Sequence, residues 1–383
     1  MASTLLVQPD TKFIHDVMRG GGADLKKCFQ CATCTSVCSL STESRPFPRR
    51  QMIEAQWGMK DQLMADPAVW LCHNCGDCTT KCPRDARPGQ VMGAIRGEAI
   101  KRFAFPPFMG DLVSNPKALP LLLALPLFIL YALAVWPLHL GPGQRWEFAF
   151  MFPQPRLEAL FFTVGALVGF AFAVGVVRFV WALRASGADG AILPALGPVL
   201  LEIVTHRRFA KCNAEKGRYW GHLLVLSGFG GLAVVGTVIG IGTMVGVMHT
   251  PLATFSPFKV FANLCALVLC IGAVILIVDR IKNREALTDS TYFDWFFLLV
   301  LAGVAITGIV SEALRLAQNP AWMYPIYCVH LTLILVLFLY APYCKFAHFV
   351  YRTVALAATW EASKRLAATQ NSVATETVAD TSA

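Results

Sequence analysis

Two cysteine tetrads of identical spacing dominate the first part of the sequence, CFQCATCTSVC at residues 28–38 and CHNCGDCTTKCP at residues 72–83. Each reads C-x2-C-x2-C-x3-C, and together they take eight of the 13 cysteines in the chain. A structural zinc site uses two short cysteine pairs at a distance, whereas two complete tetrads with this step match the run that ligates iron–sulfur clusters. Against the alternatives of structural zinc or chance, the spacing predicts two [4Fe–4S] clusters.

The fourth cysteine of each tetrad is expected to ligate the other cluster, as is common in such runs. Three thiolates two residues apart can wrap one corner of a cubane from a single loop, while the fourth reaches across from the helix that leaves the loop. The expected ligands of the first cluster are Cys28, Cys31, Cys34 and Cys82. Those of the second cluster are Cys72, Cys75, Cys78 and Cys38.

The stretch between the tetrads, residues 39–71, has a helical pattern rather than a β-rich one. Its apolar residues near one helical face are Met52, Ile53, Trp57, Leu63 and Met64. We therefore expect residues 1–102 to form an all-α, helical ferredoxin-like domain. The first residues lack the basic and apolar segments of a signal peptide, which indicates a cytoplasmic, reducing location where disulfides do not persist.

The rest of the chain is apolar enough for a membrane. The whole sequence is 56% hydrophobic and only 15% charged, against about 25% charged residues in soluble domains. Long apolar runs predict a transmembrane domain at 119–349 with six spans, each long enough to cross hydrocarbon as a helix. The predicted spans are 119–138, 158–183, 220–247, 260–279, 292–314 and 322–349. Residues 103–118 are then a linker, and residues 350–383 are a cytoplasmic, partly disordered tail.

The distribution of Lys and Arg predicts the orientation of these spans. Basic residues concentrate in the loop 184–219, after residue 279 and in the tail, and they are sparse in the other loops. The positive-inside rule places those basic segments, and both termini, in the cytoplasm. We predict a multi-pass protein of the cytoplasmic (inner) membrane, surrounded by membrane lipid. Because topology accounts for much of the formal charge of +9, we find no nucleic-acid footprint in it.

Histidines within the spans are candidates for function, since ionisable residues are rare there. His222 lies at the cytoplasmic start of one predicted span and His348 at the cytoplasmic end of another. Antiparallel helices would bring both to one depth, where the iron of a haem b could take them as axial ligands. The alternative is a structural histidine that hydrogen-bonds to a neighbouring helix. Glycines beyond His222 would let a flat macrocycle lie against backbone, namely Gly228, Gly230 and Gly231.

A second haem near the outer surface would need His330. This residue precedes His348 by 18 positions, which is five turns or about 27 Å if both lie on one helix. Its partner would be His249, brought in by a bend in the preceding glycine-rich stretch, or His139. His330 is the firmer half of this expected pair.

A quinol site has no sequence signature, but quinol oxidation releases protons and needs an ionisable acceptor near the membrane surface. On the cytoplasmic side the candidates are His206, Arg207, Arg208 and Lys211, which could instead serve only topology or interfacial anchoring. On the outer side the candidate is Glu312, which could instead be a helix-end carboxylate paired with Arg315. We favour the cytoplasmic cluster because it needs no second haem.

The two tetrads resemble the small iron–sulfur subunit of heterodisulfide reductases. The histidine-bearing spans resemble the cytochrome b subunit of those enzymes and the gamma subunit of respiratory nitrate reductases. Nitrate reductase gamma subunits carry a further histidine at a place that falls near Leu232 here. The fusion of both parts in one chain is most similar to the membrane subunit of quinone-interacting membrane-bound oxidoreductase (Qmo) complexes of sulfate-respiring microbes.

This resemblance implies an electron-transfer subunit of a quinol-linked oxidoreductase complex. The implied path runs from menaquinol through haem b and the clusters to flavin- and iron–sulfur-containing cytoplasmic subunits, and onward to adenylylsulfate reductase. Two alternatives stay open. One is the anchor of a heterodisulfide-reductase-type complex with another acceptor, and the other is a non-redox membrane protein with a regulatory cluster.

Overall fold

The computed structural model describes residues 8–135, 145–188, 190–206, 216–282 and 292–363. Within these ranges the chain forms helices and turns without a strand, which confirms the predicted all-α class. The α-helices are α1 Thr11–Arg19, α2 Thr33–Ser36, α3 Arg49–Gln56, α4 Lys60–Met64, α5 Pro67–Leu71, α6 Asp77–Thr80, α7 Pro88–Phe103, α8 Pro107–Ser114, α9 Leu119–Leu133, α10 Gln154–Ala185, α11 Ile192–Thr205, α12 Lys216–Met244, α13 Pro257–Lys282, α14 Tyr292–Leu316, α15 Pro320–Leu339 and α16 Ala347–Ala358. Short 3-10 turns occur at Leu25–Lys27, Pro116–Ala118, Phe148–Phe150 and Ala341–Tyr343.

The helices of the ferredoxin-like region are short and start at recognisable caps. The Asp10 side chain accepts a hydrogen bond from the Phe13 amide at 2.8 Å at the start of α1, and Asp66 caps α5 through the Ala68 amide at 2.8 Å. Such side-chain oxygens satisfy amides that have no partner inside the helix. The predicted helical pattern of residues 39–71 is thus divided among α3, α4 and α5.

The described chain divides into two compact units. The first contains residues 1–103, 174–213 and 347–383, and the second contains residues 104–173 and 214–346. The first unit therefore joins the ferredoxin-like region to the end of α10, to α11 and to α16. The stretch predicted as a linker contains α8, and residues 350–358 of the predicted tail belong to α16. Residues 364–383 lie outside the described ranges.

An aromatic core holds the first unit together. Its rings are Trp70, Phe103, Phe179 and Tyr351, each at most 5% exposed, with centroids 5.1 to 5.9 Å apart. At Gly175 on α10 an added Cβ would lie 2.5 Å from the Tyr351 hydroxyl oxygen. Only glycine allows this approach without displacing the ring. The core thus fixes α16 against the ferredoxin-like helices.

Six described helices are long and apolar enough to cross a membrane, by length and composition. They are Pro116–Leu133, Gln154–Ala185, Gly217–Met244, Pro257–Lys282, Asp294–Leu316 and Pro320–Leu339. Five agree with the predicted spans to within a few residues. The sixth does not, because the helix ends at Leu339 and a 3-10 turn separates it from α16.

The prediction of a single helix over 322–349 is wrong, and Pro342 gives the physical reason. Proline has no amide hydrogen to donate and disfavours helical backbone at the residue before it. His330 on α15 and His348 on α16 therefore lie on different helices. The five-turn spacing that related them does not exist.

Two of the glycines expected to face a macrocycle instead seat α13 against α12. A Cβ at Gly228 would lie 2.6 Å from the Leu269 nitrogen and 2.7 Å from the Cys265 oxygen, and one at Gly231 would lie 2.4 Å from the Cys265 sulfur. Small residues allow such close approach of membrane helices. The expectation of space for a macrocycle at these two positions is wrong, whereas Gly230 has nothing within 4 Å of its Cβ direction.

Both ends of α14 carry a carboxylate held by two cations. Asp294 contacts Lys345 and lies 3.6 Å from Arg280. At the other end, Glu312 contacts Lys259 at 2.8 Å and Arg315 at 2.9 Å. The two carboxylates are 18 residues apart, or about 27 Å along the helix, close to the roughly 30 Å thickness of the hydrocarbon core.

Candidate functional site

The structure gathers the eight cysteines into the two sets expected for crossed ligation. Cys38, Cys72, Cys75 and Cys78 line one cavity of about 310 Å³. Cys28, Cys31, Cys34 and Cys82 line another of about 20 Å³. In each cavity the last cysteine of one tetrad joins the first three of the other. We call these the second and the first cysteine set.

Both cysteine loops follow the same backbone course. Left-handed residues occupy equivalent places, Gln30 and Ala32 in one loop and Asn74 and Gly76 in the other. The Asn74 amide donates to the Cys72 sulfur at 3.4 Å. Thiolates of iron–sulfur clusters accept such N–H donors, which help to set the potential. The thiol sets, their cavities and these donors therefore fit two [4Fe–4S] clusters.

Burial controls the acidity of the cysteine thiols. It raises the pKa of Cys38 to about 11 and also raises that of Cys34. Burial and the neighbouring thiols raise the pKa of Cys78 as well. The exposed Cys31 differs, because a hydrogen bond with the Thr33 side chain lowers its pKa. Buried thiols must lose their protons when they bind iron, so cluster assembly releases protons.

The first cysteine set opens to solvent. Cys31 is exposed, and Phe29 next to it is 66% exposed with the Arg84 guanidinium 4.1 Å above its ring. Among the residues that the structure describes, no three His, Cys, Asp or Glu side chains are grouped to hold a single metal ion. The exposed Phe29–Arg84 pair is a feature that sequence reasoning missed.

Helix α16 contacts the second cysteine set through Arg352. Its Nη1 donates to the carbonyls of Trp70, Leu71 and Cys72 at 2.8, 3.2 and 3.1 Å. Its Nη2 lies 2.9 Å from His73 Nδ1. Since a guanidinium can only donate, Nδ1 is the acceptor in that bond. No local signal in the sequence indicates these contacts, because Arg352 is 279 residues from His73.

His348 lies one helical turn before Arg352. Its ring centroid is 6.1 Å from that of Trp70, which is fully buried. The buried Trp70 Nε1 has no hydrogen-bond partner among the described residues. Because an unsatisfied buried donor is costly, this N–H suits a bound group with acceptor atoms, such as the carboxylates of a haem. The surroundings of His348 therefore fit a haem.

The other haem-ligand candidates lie in the second unit. His222 is exposed on α12, so its expected pairing with His348 across the two units stays a prediction. His249 is exposed beyond the end of α12, and His139 lies outside the described residues.

His330 is half-buried between α15 and α14. Thr307 donates its hydroxyl hydrogen to the Gly303 carbonyl at 2.6 Å, and its oxygen lies 3.1 Å from His330 Nδ1. The oxygen therefore accepts from Nδ1–H, which leaves the lone pair on Nε2. A Cβ at Gly308 would lie 2.9 Å from the ring. This tautomer suits an iron ligand and equally a structural histidine.

The quinol candidates are differently situated. His206 follows α11 with left-handed backbone, and burial, together with the nearby charge of Arg352, lowers its pKa. The histidine is therefore neutral at pH 7 and can accept a proton. Arg207, Arg208 and Lys211 lie outside the described residues. Glu312 is held by Lys259 and Arg315, in agreement with the alternative of a paired helix-end carboxylate.

Comparison with known proteins agrees with the cysteine geometry. Residues 24–86 match the family described as the 4Fe-4S dicluster domain. The N-terminal region is homologous to an iron–sulfur subunit of heterodisulfide reductases. It is 40% identical over 93 residues to a subunit of the H(2):CoB-CoM heterodisulfide,ferredoxin reductase of Methanothermobacter thermautotrophicus, covering 24% of this chain and 50% of that protein. A protein of Archaeoglobus profundus that is described as similar to the corresponding heterodisulfide reductase subunit is 34% identical over 95 residues, again 24% and 50%.

The chain thus spans about half the length of these curated relatives. Citrate utilization protein B of Escherichia coli is similar over nearly the whole chain, at 26% identity over 362 residues, 89% of this chain and 91% of that protein. No solved structure matches the chain. The comparisons and the apolar helices together support a membrane-associated electron-transfer subunit.

Proposed function

We propose that this chain is the membrane electron-transfer subunit of a quinol-linked oxidoreductase complex. It connects menaquinol at the membrane with flavin- and iron–sulfur-containing partner subunits in the cytoplasm. The cysteine sets hold two [4Fe–4S] clusters, and His222 with His348 holds a haem b; these groups supply one-electron transfer, which divides the electron pair of a quinol. A second haem on His330, with His249 as its partner, is an extension of the same proposal.

One observation carries the proposal: α16 brings a haem-ligand candidate and the second cysteine set into one compact unit. His348 lies beside Trp70, and Cys72 follows Trp70 by two residues. Arg352, one turn beyond His348, bonds to the carbonyl of Cys72 itself. Residues in van der Waals and covalent contact therefore link the histidine to the cysteines. The exposed Cys31 gives a partner subunit access to the first set.

His206 supports a quinol site on the cytoplasmic side. It is neutral at pH 7 because burial lowers its pKa, and a base near the membrane surface can take a proton from the quinol. It belongs to the same unit as the second cysteine set, and the charge of Arg352 acts on it. Proton removal and electron entry are therefore assigned to neighbouring groups.

Two versions of the cytoplasmic partner are proposed. The resemblance to membrane subunits of sulfate respiration favours adenylylsulfate reductase as the terminal acceptor. The nearly full-length similarity to citrate utilization protein B favours a second version. In that version the partner oxidises a carboxylic acid related to citrate, and electrons leave through quinone. The two versions differ in the direction of electron flow, so a purified complex distinguishes them by the substrate that reduces its clusters.

The decisive experiment uses the full chain purified in detergent. Reduced-minus-oxidised spectra should show a haem b band, and anaerobic menadiol, a soluble menaquinol analogue, should reduce it. His348→Ala should remove the band, while His15→Ala, an exposed histidine on α1, should retain it. Protein that carries both clusters but no haem would refute the quinol-linked proposal and favour a non-redox protein with a regulatory cluster.

A further inference from the structure

Two guanidinium groups converge on the segment that leads into the second cysteine set. Besides Arg352, Arg96 on α7 donates to the Val69 carbonyl at 3.4 Å and to the Cys72 carbonyl at 3.1 Å. The Cys72 carbonyl therefore accepts from two cations. These bonds lie at the C-terminal end of α5, where carbonyl groups have no partner inside the helix.

The first cysteine set has a different electrostatic setting. The cation above Phe29 belongs to an exposed side chain, and exposed charges are strongly screened by water and salt. Arg352 is half-buried and is fixed by four contacts. A fixed, partly buried charge acts more strongly on a neighbouring site than a mobile charge in solvent.

From this geometry we propose that Arg352 is a positioning residue that holds the Cys72 loop and raises the reduction potential of the second cluster above that of the same cluster without it. Reduction adds one negative charge to a cluster, and a nearby fixed cation stabilises that charge. Net charge and hydrogen bonding near the sulfurs set cluster potentials in general. Helix α16 thereby makes the second cluster the better acceptor for electrons that arrive from the membrane side.

This inference rests on the cluster part of the proposed function and not on haem or quinol. The test is an EPR-monitored redox titration of the full-length protein in detergent, with dithionite and mediators, so it stands even if no haem or quinol binds. Arg352→Gln removes the charge and retains a side chain that can donate. Lys60→Gln is the control, because it removes another cation of the same unit, one that lies 3.8 Å from Asp10.

We expect Arg352→Gln to lower the midpoint of one cluster and to leave the other unchanged, while Lys60→Gln shifts neither. An Arg352→Gln protein with full iron content and both midpoints unchanged would overturn the proposal. If Arg352→Gln loses the cluster, Arg352→Lys decides the matter. Lysine keeps the charge without the planar fork that spans several carbonyls, so a lowered midpoint supports the proposal and a wild-type midpoint refutes it.

Discussion

Substitution of Glu312 by Gln tests whether this residue is structural or part of the quinol site. Glu312 is 15% exposed. It accepts from Lys259 Nζ at 2.8 Å, Arg315 Nη2 at 2.9 Å and Arg315 Nε at 3.2 Å. Hydrogen bonds to charged groups contribute about 1.5–3 kcal/mol each. Glutamine keeps one acceptor oxygen, loses the charge and turns an N–H2 group toward a cation, so we expect a loss of about 2–4 kcal/mol in unfolding free energy.

The assay is equilibrium unfolding of the detergent-purified variant in mixed micelles, with quinol oxidation measured per folded protein. Glu158→Gln is the matched control, because Glu158 on α10 accepts from the uncharged Gln154 side chain at 3.0 Å. We expect Glu312→Gln to be less stable than the control and to oxidise quinol at the normal rate. Unchanged stability combined with lost quinol oxidation would refute this reasoning and move the quinol site to the outer surface.

Four further predictions concern the redox groups. Cys75→Ser should damage the second cluster in EPR spectra while haem content stays nearly intact, because the cysteine sets use no residue of the membrane spans. His222→Ala and His348→Ala should abolish the same haem band without additive loss; loss of two different bands would contradict their pairing. His206→Gln should slow menadiol-driven haem reduction and remove its acid limb, which in the native protein should fall below pH 6.5 because burial lowers the pKa of His206 and only the neutral ring accepts a proton. Arg84→Glu should slow reoxidation of dithionite-reduced protein by anionic ferricyanide, speed it with cationic cobalt hexaammine, and lose both effects at high salt.

Local sequence signals predicted the parts of the structure that depend on local chain geometry. The cysteine spacing is such a signal, since three thiols of each set come from one seven-residue loop and the fourth from a tetrad of equal design. Hydropathy located the six spans for the same reason, as apolar length is a property of each segment alone. It missed the end of the last span because Pro342 lies in an apolar stretch and changes backbone hydrogen bonding rather than hydropathy.

Long-range features were beyond sequence reasoning. By sequence, Arg352 is only one of the basic residues of the tail, because nothing near it indicates a contact with Cys72. The pairing of Glu312 with Arg315 follows from their spacing of three residues on a helix. The second cation, Lys259, is 53 residues away, and only the packing of α13 against α14 reveals it.

The dependence of the Cys72 loop on α16 has a consequence for biosynthesis. The loop leaves the ribosome early, whereas Arg352 is made 279 residues after His73. At about 5–20 residues per second, that interval lasts roughly 15–55 s, during which all six apolar helices must enter the bilayer. The nascent iron–sulfur region therefore waits, without its last supporting helix, until membrane insertion is complete. A chain that stalls or inserts incompletely never receives that support, so maturation of the second cluster reports on correct insertion of the whole protein.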